Sequence, residues 1–187
     1  MVKKISSCVF ISGEGSNLKS IIKSSRDYNF PITIDLVISN KINANGLKYA
    51  KKHNIPYKFY SSKNLSRFER KCLIELKRRK IKFLCLAGFM KILSKNFINK
   101  FKGKIINIHP SLLPKYKGLN THKKAIENND KFAGCSVHFV TAKIDSGKII
   151  MQKKVKIKKN DTVISLAKKV LKKEHLIYPA AIKKIYN

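Results

Sequence analysis

This sequence has no long apolar run, no closely spaced pair of cysteines and few acidic residues. Its longest apolar run, residues 83–90, is far shorter than the roughly 20 residues of a membrane-spanning helix. A short apolar run follows Lys4, but the segment Ser-Gly-Glu-Gly at 12–15 ends it before the core of a signal peptide forms. We therefore expect a cytoplasmic protein with no membrane partner.

The cysteines and histidines lack the spacing of a metal or redox site. Cys8, Cys72, Cys85 and Cys135 are far apart and form no C-x-x-C pair, which argues against a zinc ribbon and a thioredoxin-like motif. The five histidines form no H-E-x-x-H pattern. We expect reduced, structural cysteines and no metal site.

Acidic residues number 10 against 42 lysines and arginines, so the formal net charge is +32. Such a charge by itself indicates a nucleic-acid-binding protein. However, only five of the basic residues are arginines, the residues that most often read base edges, and the lysines are spread along the whole chain. We interpret the charge as a compositional bias that steers small anionic substrates, and expect no specific nucleic-acid partner.

The apolar pattern predicts a single α/β domain over residues 1–187. Apolar runs at 5–11, 32–38 and 83–87 are typical of strands in a parallel sheet, and segments with helical periodicity separate them. This alternation predicts an open, mostly parallel, Rossmann-like sheet flanked by helices. Residues 135–140 and 148–157 are predicted to form an antiparallel hairpin in the C-terminal half.

Helices are predicted over residues 43–53 and 65–80, after Asn120, and from Asp161 or Thr162 onwards. Proline inside a helix removes a hydrogen bond and clashes with the preceding turn. We therefore expect Pro179 to kink or end the last helix.

A strand at 104–108 leads into the most informative stretch of the chain. Period-two alternation places Asn107 and His109 on one face, and Pro110 and Pro114 stiffen the loop that follows. An amide donor beside a histidine that exchanges a proton near neutral pH suits a carbonyl whose oxygen becomes negative during reaction. The alternative, a hydrogen-bonded core histidine, accounts for neither Asn107 nor the stiff loop.

A glycine-rich turn follows the first strand. Gly13, Gly15, Ser16 and Asn17 lie between a strand and a helix, the arrangement that binds phosphate. It is not the dinucleotide motif, because Leu18 stands at the third glycine position, and it lacks the Lys-Ser or Lys-Thr of a Walker loop. An ordinary tight turn is the alternative.

Three loops, at residues 12–17, 88–93 and 107–109, follow predicted parallel strands. Ligands of open parallel sheets bind at the carboxyl ends of strands, so we expect these loops to form one site. If the glycine turn binds phosphate, Gly15→Val is expected to weaken substrate binding and leave the fold intact.

Four segments carry a resemblance to a known family: ISGEGSNL at 11–18, LAGFMKIL at 86–93, NIHPSLLPKY at 107–116 and SVHFV at 136–140. They resemble the phosphoribosylglycinamide formyltransferases, folate-dependent enzymes of purine synthesis, in the same order along the chain. The resemblance implies formyl transfer from 10-formyltetrahydrofolate, a cosubstrate, to the amine of glycinamide ribonucleotide, without a metal. It also implies a cis Leu113–Pro114 bond.

The resemblance implies a role for each matching residue. The catalytic residues would be Asn107, His109 and Asp145. The nucleotide substrate would be held at its phosphate and ribose by Gly15, Ser16, Asn17, Leu18 and Glu174. Folate would be bound by Arg67, Met90, Lys91, Ile92, Leu93, Asn107, Thr141 and Asp145. Residues 1–103 would mainly bind the nucleotide, and 104–187 would supply catalysis and folate binding.

The chain departs from the family pattern at Glu14, usually Asn; at Lys117, usually Pro; and at Leu171, usually polar. An acidic side chain beside a phosphate requires that Glu14 point away or pair with a lysine.

Three other functions are compatible with part of the sequence. A methionyl-tRNA formyltransferase would suit the charge, but it is expected to carry a second domain and usually lacks Pro110. A formyltetrahydrofolate deformylase generally has a second histidine after the catalytic one. A basic nucleic-acid-binding module, from a different class, rests on charge alone and leaves Asn107 and His109 unexplained.

Overall fold

The computed structural model describes residues 4–186, in which the strands form one seven-stranded sheet with the order β3-β2-β1-β4-β5-β6-β7. The strands are β1 (Ile5–Ile11), β2 (Ile32–Ser39), β3 (Tyr57–Phe59), β4 (Phe83–Leu86), β5 (Lys104–His109), β6 (Phe132–Phe139) and β7 (Ile149–Lys156). The helices are α1 (Ser16–Ser25), α2 (Gly46–Lys52), α3 (Leu65–Arg78), α4 (Lys95–Lys100), α5 (Thr121–Glu127) and α6 (Val163–Tyr186).

The pairing of the strands confirms the predicted fold class. Strand β1 pairs in parallel with β2 and β4, and β2 pairs in parallel with β3. Strands β6 and β7 pair antiparallel, with Ser136 opposite Gln152. The chain divides into two compact units at the boundary between Ile106 and Asn107, inside β5.

The core of the first unit explains the continuous apolar runs of the central strands. The last four residues of β1 and the first three of β4 are fully buried, as expected for strands covered on both faces. Phe10 forms edge-to-face contacts with Phe68 and Phe89, whose ring centroids lie 6.0 and 5.3 Å away. Such aromatic packing anchors α3 and the loop after β4 to the sheet.

Helix α2 starts later than predicted, at Gly46 rather than near residue 43. The preceding segment forms a turn in which the Ala44 N–H donates to the Lys41 carbonyl. The Gly46 N–H donates to the Gly13 carbonyl at 2.9 Å, so the start of the helix is set by the glycine turn. This contact is between residues far apart in sequence, which helical periodicity does not register.

Of the two predicted effects of Pro179, an end of the last helix is wrong, because α6 continues to Tyr186, and a kink stays a prediction. Pro179 is buried, and its neighbours Tyr178, Ala181 and Ile182 are fully buried. Burial of a large aromatic side chain and an isoleucine offsets the hydrogen bond that proline removes. At the other end of α6, Val163 is 42% exposed, so its side chain lies outside the buried face of the helix.

The four cysteines are free and buried, which confirms the expectation of structural thiols. Burial raises the pKa of the Cys135 thiol to about 12, with a smaller effect from the negative charge of Glu174. Among residues 4–186 there is no group of three potential ligands for a metal ion. No helix in this part of the chain is both long and apolar enough to cross a membrane.

Candidate active site

His109 lies at the end of β5 in the second unit and is 5% exposed. Its Nε2 is 2.9 Å from the Tyr116 carbonyl oxygen, and its Nδ1 is 3.3 Å from Asp145 Oδ2. A carbonyl and a carboxylate only accept hydrogen bonds, so the ring bonds to both only when both nitrogens are protonated. The geometry thus matches an imidazolium paired with Asp145.

Asp145 lies in the loop between β6 and β7 with a left-handed backbone conformation, φ 45°. Its Oδ2 accepts the Gly118 N–H at 2.9 Å, and its Oδ1 lies 3.5 Å from His138 Nε2. Burial by itself would raise the pKa of Asp145, but neighbouring hydrogen-bond donors, among them the Gly118 N–H, and the charge of His109 outweigh it and lower that pKa. The side chain is therefore a carboxylate near neutral pH.

Asn107 is oriented by His138, to which the sequence analysis assigned no role. His138 Nδ1 is 2.8 Å from the Phe139 carbonyl, so Nδ1 carries a proton and Nε2 of the neutral ring is an acceptor. Asn107 Nδ2 lies 3.2 Å from this Nε2. The amide group of Asn107 is therefore turned with its NH₂ towards His138, which leaves a second N–H for another acceptor. The signal in the sequence was the alternation of Ser136 and His138 along β6.

In the first unit, the loops after β1 and β4 contact each other. The sequence predicts this for two of the three loops that were expected to form one site. The Ser12 hydroxyl donates to Asn40 Oδ1 at 2.7 Å and accepts the Met90 N–H at 2.8 Å. The Ser12 N–H donates to the Gly88 carbonyl. One buried serine thus joins the carboxyl ends of β1, β2 and β4. The inclusion of residues 107–109 in the same site stays a prediction.

The fold requires a glycine at position 15, apart from the predicted role of Gly15 in binding. Its φ is +71°, and a Cβ at this position would lie 2.4 Å from Gly46 Cα. A Cβ at Gly13 would meet nothing within 4 Å. The expectation that Gly15→Val leaves the fold intact is therefore wrong, because no larger residue fits between the turn and the start of α2.

Comparisons with known proteins agree with the resemblance found in the sequence. The formyl transferase family matches residues 5–182. A phosphoribosylglycinamide formyltransferase of Haemophilus influenzae is 44% identical over 185 residues, which cover 97% of this chain and 86% of that protein. The chain belongs to the phosphoribosylglycinamide formyltransferase family.

Structures and longer proteins extend the similarity. A crystal structure of phosphoribosylglycinamide formyltransferase from Brucella melitensis has a TM-score of 0.93 and 40% identity, covering 98% of this chain and 96% of that one. The human trifunctional purine biosynthetic protein adenosine-3 is 45% identical over 185 residues. The chain spans 18% of the length of that human protein.

Two departures from the family pattern have local partners. The Glu14 carboxylate accepts hydrogen bonds from Asn45 Nδ2 at 3.0 and 3.2 Å, so it pairs with an amide rather than a lysine. Lys117 Nζ donates to Ser146 Oγ at 2.6 Å, which connects the segment before Gly118 to the loop that carries Asp145. Each of the two residues thus forms a hydrogen bond within or to a segment that carries a predicted site residue, Gly15 beside Glu14 and Asp145 beside Ser146.

Ser16, Asn17 and Leu18 form the first turn of α1, where the family would place the substrate phosphate. Asn17 is 6% exposed and Leu18 is fully buried. Leu18 therefore offers no side chain to a ligand. The first turn contains no acidic residue, which suits an anion at this helix end.

The predicted folate-binding residues of the first unit are mostly exposed. Met90 is 63% and Ile92 61% exposed, Lys91 is exposed, and Arg67 lies exposed in the first turn of α3. Leu93 is 5% exposed, so its side chain belongs to the core. Two large apolar side chains exposed two residues apart suit a flat, partly apolar ligand.

In the second unit, Thr141 and Glu174 are the remaining predicted site residues. Thr141 is exposed, and its hydroxyl donates to the Lys143 carbonyl at 3.1 Å within the loop that carries Asp145. Glu174 lies on α6 and is 8% exposed. Its role at the ribose stays a prediction.

Proposed function

We propose that this protein transfers a formyl group from 10-formyltetrahydrofolate to the amine of glycinamide ribonucleotide in de novo purine biosynthesis, in the cytoplasm. The observation that carries the proposal is the Asn107, His109 and Asp145 cluster at the end of β5, in a chain related to this family along nearly its whole length. Both small molecules are substrates of the reaction.

In the reaction, the substrate amine attacks the formyl carbon and forms a tetrahedral centre with a negative oxygen and a positive nitrogen. The second amide N–H of Asn107 would donate to that oxygen. The His109 Nε2 proton, which the Tyr116 carbonyl accepts at 2.9 Å, would also be donated, because an oxyanion is a stronger acceptor than a neutral carbonyl.

Asp145 would serve the proton transfers. Its carboxylate holds the imidazolium of His109, with Nδ1 at 3.3 Å, and would orient a water that accepts the proton of the positive amine. The negative oxygen then re-forms the carbonyl as the carbon–nitrogen bond to folate breaks, and the same water passes the proton on to the folate nitrogen. The products are formylglycinamide ribonucleotide and tetrahydrofolate.

Three sets of residues would bind the substrates. The first turn of α1 would bind the phosphate through backbone N–H groups, which lack intrahelical acceptors at a helix start. Met90 and Ile92 would contact the flat ring system of folate. This contact would cover their exposed apolar side chains. Glu174 would contact the ribose.

The test is formyl transfer by the purified protein and by single-site variants. Removing one oxyanion donor typically costs about 10²–10³ in rate, so we expect Asn107→Ala, His109→Ala and Asp145→Asn each to lower kcat on that order while substrate binding changes less. Combining His109→Ala with Asp145→Asn should cost far less than the product of the single losses, because the pair acts as a unit.

His53→Ala, which removes a histidine beside Arg26 in the first unit, is the matched control and should keep its turnover. Near-normal turnover of His109→Ala would contradict the mechanism. Formyl transfer to methionyl-tRNA without transfer to glycinamide ribonucleotide would contradict the proposed substrate.

A further inference from the structure

The segment Ser111–Gly118 supplies two backbone groups to the ionisable pair in the second unit. Its Tyr116 carbonyl accepts from His109 Nε2 at 2.9 Å, and its Gly118 N–H donates to Asp145 Oδ2 at 2.9 Å. Because a carbonyl only accepts, this contact holds the Nε2 proton of His109, while the Asp145 carboxylate faces Nδ1. The backbone of this loop therefore orients the His109 ring.

The loop is held in turn by Ser136 of β6, which is fully buried. The Ser136 hydroxyl accepts the Leu113 N–H at 3.0 Å and donates to the Ser111 carbonyl at 2.6 Å. It also accepts a hydrogen bond from Gln152 Nε2 at 2.8 Å. A hydroxyl has one donor and two acceptor positions, so all three are used.

Gln152 is the partner of Ser136 across the β6–β7 hairpin. Its Nε2 donates a second hydrogen bond, at 2.9 Å, to the Leu113 carbonyl. Both backbone groups of Leu113, the residue before the cis Pro114, are therefore bonded to the hairpin. Gln152 itself is exposed, and the positions that follow it on β7 are Lys153 and Lys154.

We propose that Gln152 is a positioning residue: by clamping Leu113 together with Ser136, it holds the Tyr116 carbonyl where it accepts from His109 Nε2 and so orients the ring. The proposal rests on the proposed function for its effect on turnover, but the effect on His109 itself does not depend on that function. Displacing a catalytic group by about 1 Å can cost on the order of 10² in rate.

The matched variants are Gln152→Leu and Lys154→Leu. Both replace an exposed polar side chain with leucine, and both lie on the same face of β7, but only Gln152 reaches the loop. Gln152→Leu is expected to lower kcat by about 3- to 30-fold with a smaller change in KM. Lys154→Leu should retain the kcat of the parent protein. Gln152→Glu, which keeps the size but removes both donors, should behave like Gln152→Leu.

The deciding measurement is ¹⁵N NMR of the histidine rings, with the His109 signals assigned by comparison with His109→Asn. In the parent protein and Lys154→Leu, the His109 Nε2–H should be hydrogen-bonded to the Tyr116 carbonyl; in Gln152→Leu and Gln152→Glu, the ¹⁵N shift of Nε2 should move as this hydrogen bond weakens. Unchanged His109 shifts in both Gln152 variants would overturn the proposal, whatever their kcat. If the parent protein transfers no formyl group, the proposed function fails, and the ring shifts still decide the role of Gln152.

Discussion

Three histidines of the second unit have different neighbours and therefore different chemistry. Both ring nitrogens of His109 face acceptors, whereas His138 donates from Nδ1 to a carbonyl and accepts at Nε2. His122 is partly buried, and burial together with the positive charge of His109 lowers the pKa of His122. A lowered pKa favours the neutral ring of His122, whereas His109 has an acceptor at each ring nitrogen and is placed to donate from both.

Asp161, before α6, provides a test of ionisation at a single residue. Its carboxylate accepts from Lys169 Nζ, the Lys158 N–H and the Ser165 hydroxyl, and these contacts lower its pKa to about 2. Because the folded pKa lies below the unfolded value, the stabilisation is present above about pH 4 and is lost as pH falls towards 2. Asp161→Asn should therefore lower Tm at pH 7, and the difference should shrink between pH 4 and pH 2.

Thermal unfolding followed by circular dichroism measures this difference. Glu127→Gln is the control, because Glu127 pairs with Lys123 at 3.6 Å with both side chains about 60% exposed, and such pairs contribute little. A Tm difference for Asp161→Asn that stays constant from pH 7 to pH 2 would show that its charge is not responsible.

At the level of elements, one helix determines where the next begins. Glu69 on α3 is 5% exposed, and its carboxylate accepts the Ser94 N–H at 2.7 Å and the Ser94 hydroxyl at 2.6 Å. Ser94 in turn caps α4 by accepting the Phe97 N–H. The segment from Gly88 to Ser94 is thus held at its end by a buried charge.

Glu69→Ala leaves the Ser94 N–H without its acceptor, and we expect it to lower the free energy of unfolding by about 1–3 kcal/mol. Urea unfolding measures the change. Glu75→Ala, on the same helix, is the control: it loses only ion pairs with Arg78 and Arg79 near the surface, worth about 0–1 kcal/mol. Equal losses in the two variants would show that the buried contact with Ser94 adds nothing.

The contact between the glycine turn and α2 predicts that alanine destabilises the protein at Gly15 but not at Gly13. Gly15→Ala should lower Tm by several degrees, because its Cβ would meet Gly46 Cα and its φ of +71° disfavours a side chain. Gly13→Ala should leave Tm nearly unchanged, since its Cβ meets nothing within 4 Å.

Binding of glycinamide ribonucleotide by calorimetry then separates fold from function. If the turn binds the phosphate, Gly13→Ala should weaken binding at an unchanged Tm, because the added methyl group lies in the open space of the turn. Full affinity in a stable Gly13→Ala protein would restrict this turn to a structural role.

For the whole molecule, the charge of +32 affects association more than folding. An anionic substrate is attracted by this field, and salt screens it over a Debye length of about 8 Å at 0.15 M. We expect kcat/KM for glycinamide ribonucleotide to fall as salt rises from 0.05 to about 0.3 M, with kcat nearly constant. A value of kcat/KM that does not respond to salt would exclude steering.

Binding of RNA at two salt concentrations tests the other consequence of the charge. With five arginines among 42 basic residues, we expect weak binding without sequence preference that is lost steeply with salt. Tight, sequence-selective binding near 0.15 M salt would contradict the interpretation of the charge as compositional.

The sequence by itself determined the type and order of the main elements and the family. Strands such as β1 and β4 are buried on both faces, so they appear as continuous apolar runs, and a period of two was enough to place Asn107 and His109 on one face. These features depend on residues close together in the chain. For Asp145, the predicted catalytic role came from the family resemblance alone.

Only the tertiary structure decided which groups surround these residues. The Tyr116 carbonyl beside His109, the clamp from Gln152 and the packing of Gly15 against Gly46 each join positions that local periodicity treats separately. Pro179 is another example, because the burial of its neighbours keeps α6 helical where the local rule predicts that proline breaks a helix. Hydrogen bonds and packing between distant segments depend on the position of the whole backbone, so no local pattern encodes them.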